Sequence, residues 1–494
     1  MLTQPTVARD IVAEPRAVYR ARLLNPQSAE AFDYLPDGAL VVNADGTIAE
    51  VVAASRIADD ASHVTLHDFR PHLLIPGLVD VHSHLPQYDA VAMDGGELLS
   101  WLQAHIFPAE ARFANPEKAR DAAERFFRDM LAHGTTTAAV YATIHQEATS
   151  VAFSVAERLG MRAIIGKVMM DQNAPPMLCE DTETSLKQSE ELCQQWHGRD
   201  RGRLQYAFSP RFALTCSMTL MRRAGELARQ YNAYVQTHLS ENLDELKWVK
   251  RLFPQAQHYT DVYRRAGLLG AKTLMAHCVH LSDEEFDLLQ KTDTRICHCP
   301  SANFFLKSGI MNLVKAMKRH IHVGIGTDVG AGPSLSLFRE MGAACLASKA
   351  RWAMERFYRE RLLEVWAEFS MLGARGTQLF RRVLAHLELD EEAHVADPKL
   401  VFYLATLGGA RALGLDHHIG NFAPGKDADF VVIDTTPIDP THDESEDQSL
   451  DTLLSRLVYR GKGTMVQATF VRGRRVHEEA QGRRAKFCQR LGSC

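Results

Sequence analysis

Through the middle of the chain, short apolar runs alternate with longer stretches in which apolar residues return every three or four positions. Strand-length runs followed by amphipathic helices predict successive βα units around a parallel sheet. Eight strands are read: Leu78 to His84, Thr135 to Ala142, Arg162 to Met170, Leu204 to Pro210, Ala233 to Ser240, Thr273 to Val279, Arg295 to Pro300 and His322 to Asp328. Helical periodicity fills the intervals, clearest over Arg120 to His133, Met218 to Tyr231 and Asp283 to Lys291. Eight units closing on themselves make a TIM-type (β/α)8 barrel, whose chemistry lies at the C-terminal strand ends.

Both ends of the chain carry a different pattern. Val18-Tyr19-Arg20, Ala39 to Val42, the turn Asn43-Ala44-Asp45-Gly46 and Thr47 to Val52 read as short strands with an Asp-Gly hairpin signal. Ala428 to Asp434 and Thr464 to Gly473 repeat that texture after the turn Ala423-Pro424-Gly425-Lys426. Neither end is long enough to stand alone, so the two are expected to pair into one small β-sandwich domain. The expected division is 1–75 and 416–478 for that domain, 76–415 for the barrel and 479–494 for a tail. Ala350 to Leu387 reads as a helical addition after the eighth strand, and Asp443-Glu444-Ser445-Glu446-Asp447 as a solvated loop.

Composition narrows the class. With 494 residues, 46% hydrophobic and 24% charged, the chain has ample material for a large core. A formal net charge of −5 offers no field for nucleic acid or an anionic membrane, although Arg483, Arg484, Lys486 and Arg490 make the tail locally basic. Met1 to Glu14 lacks the apolar core of a signal peptide, and no apolar run approaches membrane-spanning length. Nine cysteines without framework spacing fit a reducing compartment, so a soluble cytoplasmic enzyme is expected.

The candidate chemistry begins at His82-Ser83-His84, where an apolar strand ends in two imidazoles that share a face. Such a pair is half of a zinc or iron site. Later strands supply more: His238 ends the fifth, His277 the sixth and Asp328 the eighth, all at one rim. Asp328 is placed to accept a proton as a water nucleophile forms, and Glu241, just past the fifth strand, to carry one to a substrate. Glu241 also fits a helix cap.

Taken with the runs His82-Ser83-His84-Leu85-Pro86-Gln87-Tyr88, Phe107-Pro108-Ala109-Glu110-Ala111-Arg112-Phe113, Ser209-Pro210-Arg211-Phe212-Ala213, His238-Leu239-Ser240-Glu241, His298-Cys299-Pro300-Ser301-Ala302-Asn303 and Gly326-Thr327-Asp328-Val329-Gly330, this order resembles the amidohydrolase superfamily, and within it the guanine-deaminating family. The resemblance spans nearly the whole chain. The metal residues and the Pro-Gly-Lys turn are shared widely, whereas Pro-Gln-Tyr after His84, the Phe-Pro-Ala-Glu run and Arg211-Phe212 narrow it to guanine.

The resemblance implies one zinc ion per subunit on His82, His84, His238 and Asp328, with His277 beside the attacking water and Glu241 as proton shuttle. Gln87 and Arg211 would hydrogen-bond the purine, with Phe212 and Trp101 packing on its ring. It further implies hydrolysis of a cyclic amidine C–N bond, guanine and water giving xanthine and ammonia, in a homodimer. A related enzyme for another heterocycle, such as a pterin, triazine or adenosine analogue, is the alternative, and a barrel turned scaffold would be expected to lose ligands that are all present here. The nucleic-acid deaminase signature of His-x-Glu with Pro-Cys-x-x-Cys is absent. Lys167 lies on the third strand, where a bridging carbamylated lysine would belong on the fourth, which favours one metal. In Cys297-His298-Cys299, alternation puts the cysteines on one face and His298 on the other, which predicts packing roles. Gly330-Ala331-Gly332-Pro333 departs from the family's loop after Asp328.

Overall fold

The computed structural model describes residues 15–57, 65–364, 378, 395–439 and 449–479. The acidic patch at 443–447, the basic tail and most of the later half of the 350–387 segment lie outside them. No helix among the described residues is long and apolar enough to cross a membrane.

All eight expected barrel strands are present, in the order β5 (Leu78–His84), β6 (Thr135–Tyr141), β7 (Arg162–Gly166), β9 (Leu204–Pro210), β10 (Tyr234–Leu239), β11 (Thr273–His277), β12 (Arg295–His298) and β13 (Val323–Ile325). The third is interrupted at Lys167, beyond which β8 (Val168–Met169) pairs with β9. Lys167 is fully buried against Glu180, its Nζ 2.6 Å from Oε2, so this lysine is a structural ion pair outside the site. The eighth strand is shorter than expected because Thr327 turns to Asp80, donating from its N–H at 3.0 Å and from its hydroxyl at 2.5 Å.

The barrel closes where β13 runs on beside β5. The Asp328 N–H donates to the His82 carbonyl at 2.8 Å, and the His84 N–H to Val329 at 3.0 Å. Gly326 makes this approach possible, since a Cβ there would come within 2.7 Å of the His82 Cβ. A bulge in β5 also matters: the register with β6 slips between Asp80 and Ser83. Val79 and Val81 belong to the barrel-interior cluster with Ala139, Ile164, Ala207, Leu274 and Ala276. Strict alternation from Val81 would send His82 outward; the extra residue of the bulge lets His82 and His84 face the site above that apolar floor.

The two chain ends do pair into one sheet. β1 (Pro15–Pro26), β2 (Phe32–Asn43), β3 (Ile48–Ala53) and β4 (Thr65–Pro76) join β14 (Phe430–Ile433), β15 (Val466–Val471) and β16 (Arg474–Glu478) in the order β16-β15-β14-β4-β1-β2-β3. It is one seven-stranded sheet that curls over its own core: Tyr19 on β1 meets Phe470 on β15 with ring centroids 5.3 Å apart, although β14 and β4 lie between those strands. The helix Leu337–Glu364 starts well before Ala350 and packs against the helices Pro398–Leu404 and Leu450–Arg460.

Arg162, the first residue of β7, ties this sheet to the barrel rim opposite the site. Its side chain is 3% exposed, with Nη2 2.5 Å from Asp427 Oδ2 and Nε 3.4 Å from Asp429 Oδ2. Removing one partner of a buried ion pair leaves the other charge uncompensated, at a cost of about 3–5 kcal/mol. Arg162→Met is therefore expected to lower stability by about that much in denaturant melts, while the folded fraction keeps its metal content.

Candidate active site

The sequence-expected residues come together at the C-terminal rim. His82 Nε2 and His84 Nε2 lie 3.2 Å apart, as do His84 Nε2 and His238 Nε2. Asp328 Oδ1 sits 3.2 Å from His82 Nε2 and 3.3 Å from His84 Nε2. All four side chains are buried. Burial holds the histidines neutral, pushing His84 down to about 3 and His82 and His238 below their ordinary value. For Asp328, burial pulls upward but the hydrogen bonds to His82 and His84 outweigh it, and the carboxyl stays well below its usual range.

These residues fit a divalent cation. His238 Nδ1 is 2.7 Å from the Arg211 carbonyl oxygen, which requires the N–H there and leaves the Nε2 lone pair facing the other two rings. Three neutral imidazole nitrogens, with the Asp328 carboxylate against two of them, form the donor set of a borderline metal such as zinc. Cys299 Sγ also lies within 4.8 Å of ligand atoms of His82 and Asp328. Burial pushes that thiol well above its usual pKa, so it stands as a neutral wall beside the cluster. Cys297 sits in the apolar interior, as its alternation requires.

His277 reaches the cluster by breaking its strand. Leu274 and Ala276 point into the barrel, so regular alternation would turn His277 away; its φ of 70° re-aims it. Its Nε2 then lies 3.5 Å from Glu241 Oε2 and 3.9 Å from Asp328 Oδ2, while Nδ1 lies 3.0 Å from Asn303 Oδ1. Asp328 and Ser240 share the left-handed conformation, with φ of 47° and 50°.

Glu241 is not used as a helix cap. The helix Leu243–Leu252 is capped by Asn242, with Glu245 accepting from the N–H groups of Glu241 and Asn242 at 2.8 and 3.1 Å. The Glu241 carboxylate is free to line the cavity, where Ser308 Oγ is 3.3 Å from Oε1. Burial pushes it well above the usual carboxylate range, with Asp328 and Glu245 adding to the effect. A buried carboxyl whose surroundings favour its protonated form is suited to acid–base work.

The cavity above these groups opens to solvent and, together with its mouth, spans about 370 Å³. Gln87, Trp101, Arg211 and Phe212 all line it, with Leu98, Leu102 and Leu306 supplying apolar wall. The Trp101 indole N–H donates to Met93 O at 2.7 Å, which fixes the ring, and Phe212 stands edge-on to His238 with centroids 6.4 Å apart. An apolar wall of Leu98, Trp101, Leu102, Phe212 and Leu306 beside a polar floor suits one planar heterocycle. Sequence reasoning left three residues without roles: Glu110, which contacts both Arg211 and Gln87; Asn303, which contacts His277; and Ser308, which contacts Glu241. Glu110 and Asn303 fall in runs singled out above, and a lone carboxylate in Phe107-Pro108-Ala109-Glu110-Ala111 was the available signal.

A model of the amidohydrolase family matches residues 73–476. A guanine deaminase of Escherichia coli (strain K12) is 39% identical over 418 residues, covering 84% of this chain and 85% of its own. A guanine deaminase of Dictyostelium discoideum is 34% identical over 410 residues, covering 83% of each chain. Among solved structures, guanine deaminase from C. acetobutylicum with guanine bound superposes with a TM-score of 0.81 at 32% identity, covering 93% of this chain and all of that one.

Proposed function

As a chain that belongs to the amidohydrolase family, we propose, this protein hydrolyses the C2 amino group of guanine, giving xanthine and ammonia. One observation carries the reading: His82, His84, His238 and Asp328 meet at the floor of a base-sized cavity, with Glu241 beside them and Arg211 in the wall. The guanine deaminases reported above support the substrate.

In this reading His82, His84, His238 and Asp328 hold one zinc ion per subunit. When bound, zinc acts as a Lewis acid that makes water a competent nucleophile near neutral pH. Glu241 takes a proton from the attacking water and passes it to ring N3, so that negative charge does not build up there. As the water oxygen bonds to C2, His277 and Asp328 hold it in line. The hydroxyl now on C2 then gives its proton through Glu241 to the exocyclic nitrogen, the C2–N bond breaks to release ammonia, and the oxygen closes to the carbonyl of xanthine. Arg211 and Gln87 hydrogen-bond the purine edge, while Phe212 and Trp101 flank the ring. The enzyme works in the cytoplasm as a homodimer, a reading supported by family resemblance.

The test is ammonia release from metal-replete protein with a panel of aminopurines, aminopterins and triazines. Guanine is expected to give the highest kcat/KM by at least about tenfold, the factor that one net hydrogen bond of about 1.4 kcal/mol provides. A pterin or triazine turned over faster than guanine would overturn the assignment.

A further inference from the structure

The substrate wall is organised from behind by Glu110. This side chain is 2% exposed and touches neither the metal cluster nor, by its position behind Arg211, the cavity contents. Its Oε2 and Oε1 lie 2.6 and 2.8 Å from Arg211 Nη1, and Oε1 also accepts from Gln87 Nε2 at 3.1 Å.

Two consequences follow from donor and acceptor chemistry. The Glu110 contact occupies Nη1 alone, and among the described residues Nε and Nη2 of Arg211 have no hydrogen-bond partner; Arg211 borders the cavity, so those donors are available to a ligand. Gln87 is locked in one amide orientation, because the flipped form would set its carbonyl oxygen against the Glu110 carboxylate. Its Oε1 is left with only a long 3.4 Å contact from the Gly330 N–H and keeps a lone pair to offer.

The wall therefore presents donors from Arg211 beside an acceptor from Gln87. A lactam edge, C=O next to ring N–H, complements that order. An amidine edge, C–NH2 next to an unprotonated ring nitrogen, is its reverse. We propose that Glu110 is the positioning residue that makes this site select lactam over amidine edges, by fixing the guanidinium of Arg211 and the amide orientation of Gln87. The inference rests on the reading of the cavity as the guanine site. A buried polar group left mispaired is what gives such sites their discrimination.

The experiment compares guanine with 2,6-diaminopurine, which carries the same C2 leaving group and differs only at the 6-edge. Wild type is expected to favour guanine in kcat/KM. In Glu110→Gln the Gln87 amide is free to turn over, and that preference is expected to shrink at least tenfold, chiefly through a higher KM for guanine, with metal content unchanged. Glu110→Asp, which keeps the charge, is expected to recover much of the preference, and it serves as the decisive variant if Glu110→Gln does not fold. A folded, metal-loaded Glu110→Gln whose preference stays within twofold of wild type would overturn the inference. Wild type without guanine turnover would instead overturn the functional reading beneath it.

Discussion

Glu241→Gln is expected to lower kcat for guanine by three orders of magnitude or more while leaving the bound metal in place. Gln preserves the shape of the side chain and its reach to Ser308 but cannot shuttle a proton. Positioned general acid–base groups contribute about 10²–10⁴-fold. The loss is placed at the upper end because Glu241 handles the proton both when water attacks and when ammonia departs. Its nearest ionisable neighbours are His277, 3.5 Å away, Asp328 and Glu245, and the capping work on the next helix is done by Asn242 and Glu245. Folding should therefore be little affected. Steady-state ammonia release together with elemental analysis of the purified variant decides the matter. A variant retaining even a tenth of wild-type turnover would show that the proton travels by another route.

Removing the metal should have an effect as large. Chelation at neutral pH is expected to bring deamination to background, and one equivalent of zinc per chain to restore it. Without the cation, water keeps its bulk pKa of about 15.7 rather than one near 7. Three imidazoles and a carboxylate, with neighbouring ligand atoms only 3.2 to 3.3 Å apart, would also crowd together with no cation between them. A ligand that binds the folded state alone adds about 4 kcal/mol of stability when present at a thousand times its dissociation constant. The chelated protein should accordingly melt at a lower temperature than the zinc-loaded one. Full activity in protein shown by elemental analysis to be metal-free would contradict this, and two equivalents needed for recovery would contradict the single-ion reading.

Much of this site is legible in the chain itself. Apolar runs locate all eight barrel strands, and Leu78–His84 and Leu204–Pro210 match residue for residue. A strand ending in a polar residue then places His82, His84, His238, His277 and Asp328 at one rim. Periodicity fails where the backbone departs from regularity. Nothing in Val79-Asp80-Val81-His82 announces a bulge, and His277 arrives by a left-handed turn that pattern alone would have read as pointing outward. β4 and β16 were also missed as separate strands: Thr65 to Phe69, the start of a central strand, and Arg474 to Glu478, at the sheet's edge, are largely exposed and carry no clear apolar alternation. Glu110 eluded sequence reasoning for a different reason: its partners lie on two other segments, and only the fold brings Gln87 and Arg211 to it.

The seam between the first and last barrel strands has a bearing on how the protein matures. Two of the imidazoles precede that seam and the carboxylate follows it, so a partly synthesised chain carries a His-x-His pair but no complete grip. Tight capture of the ion must wait until the polypeptide has wrapped fully round and locked its two edges. Retention of a divalent cation by these residues is therefore expected to report on whether the ring has been joined.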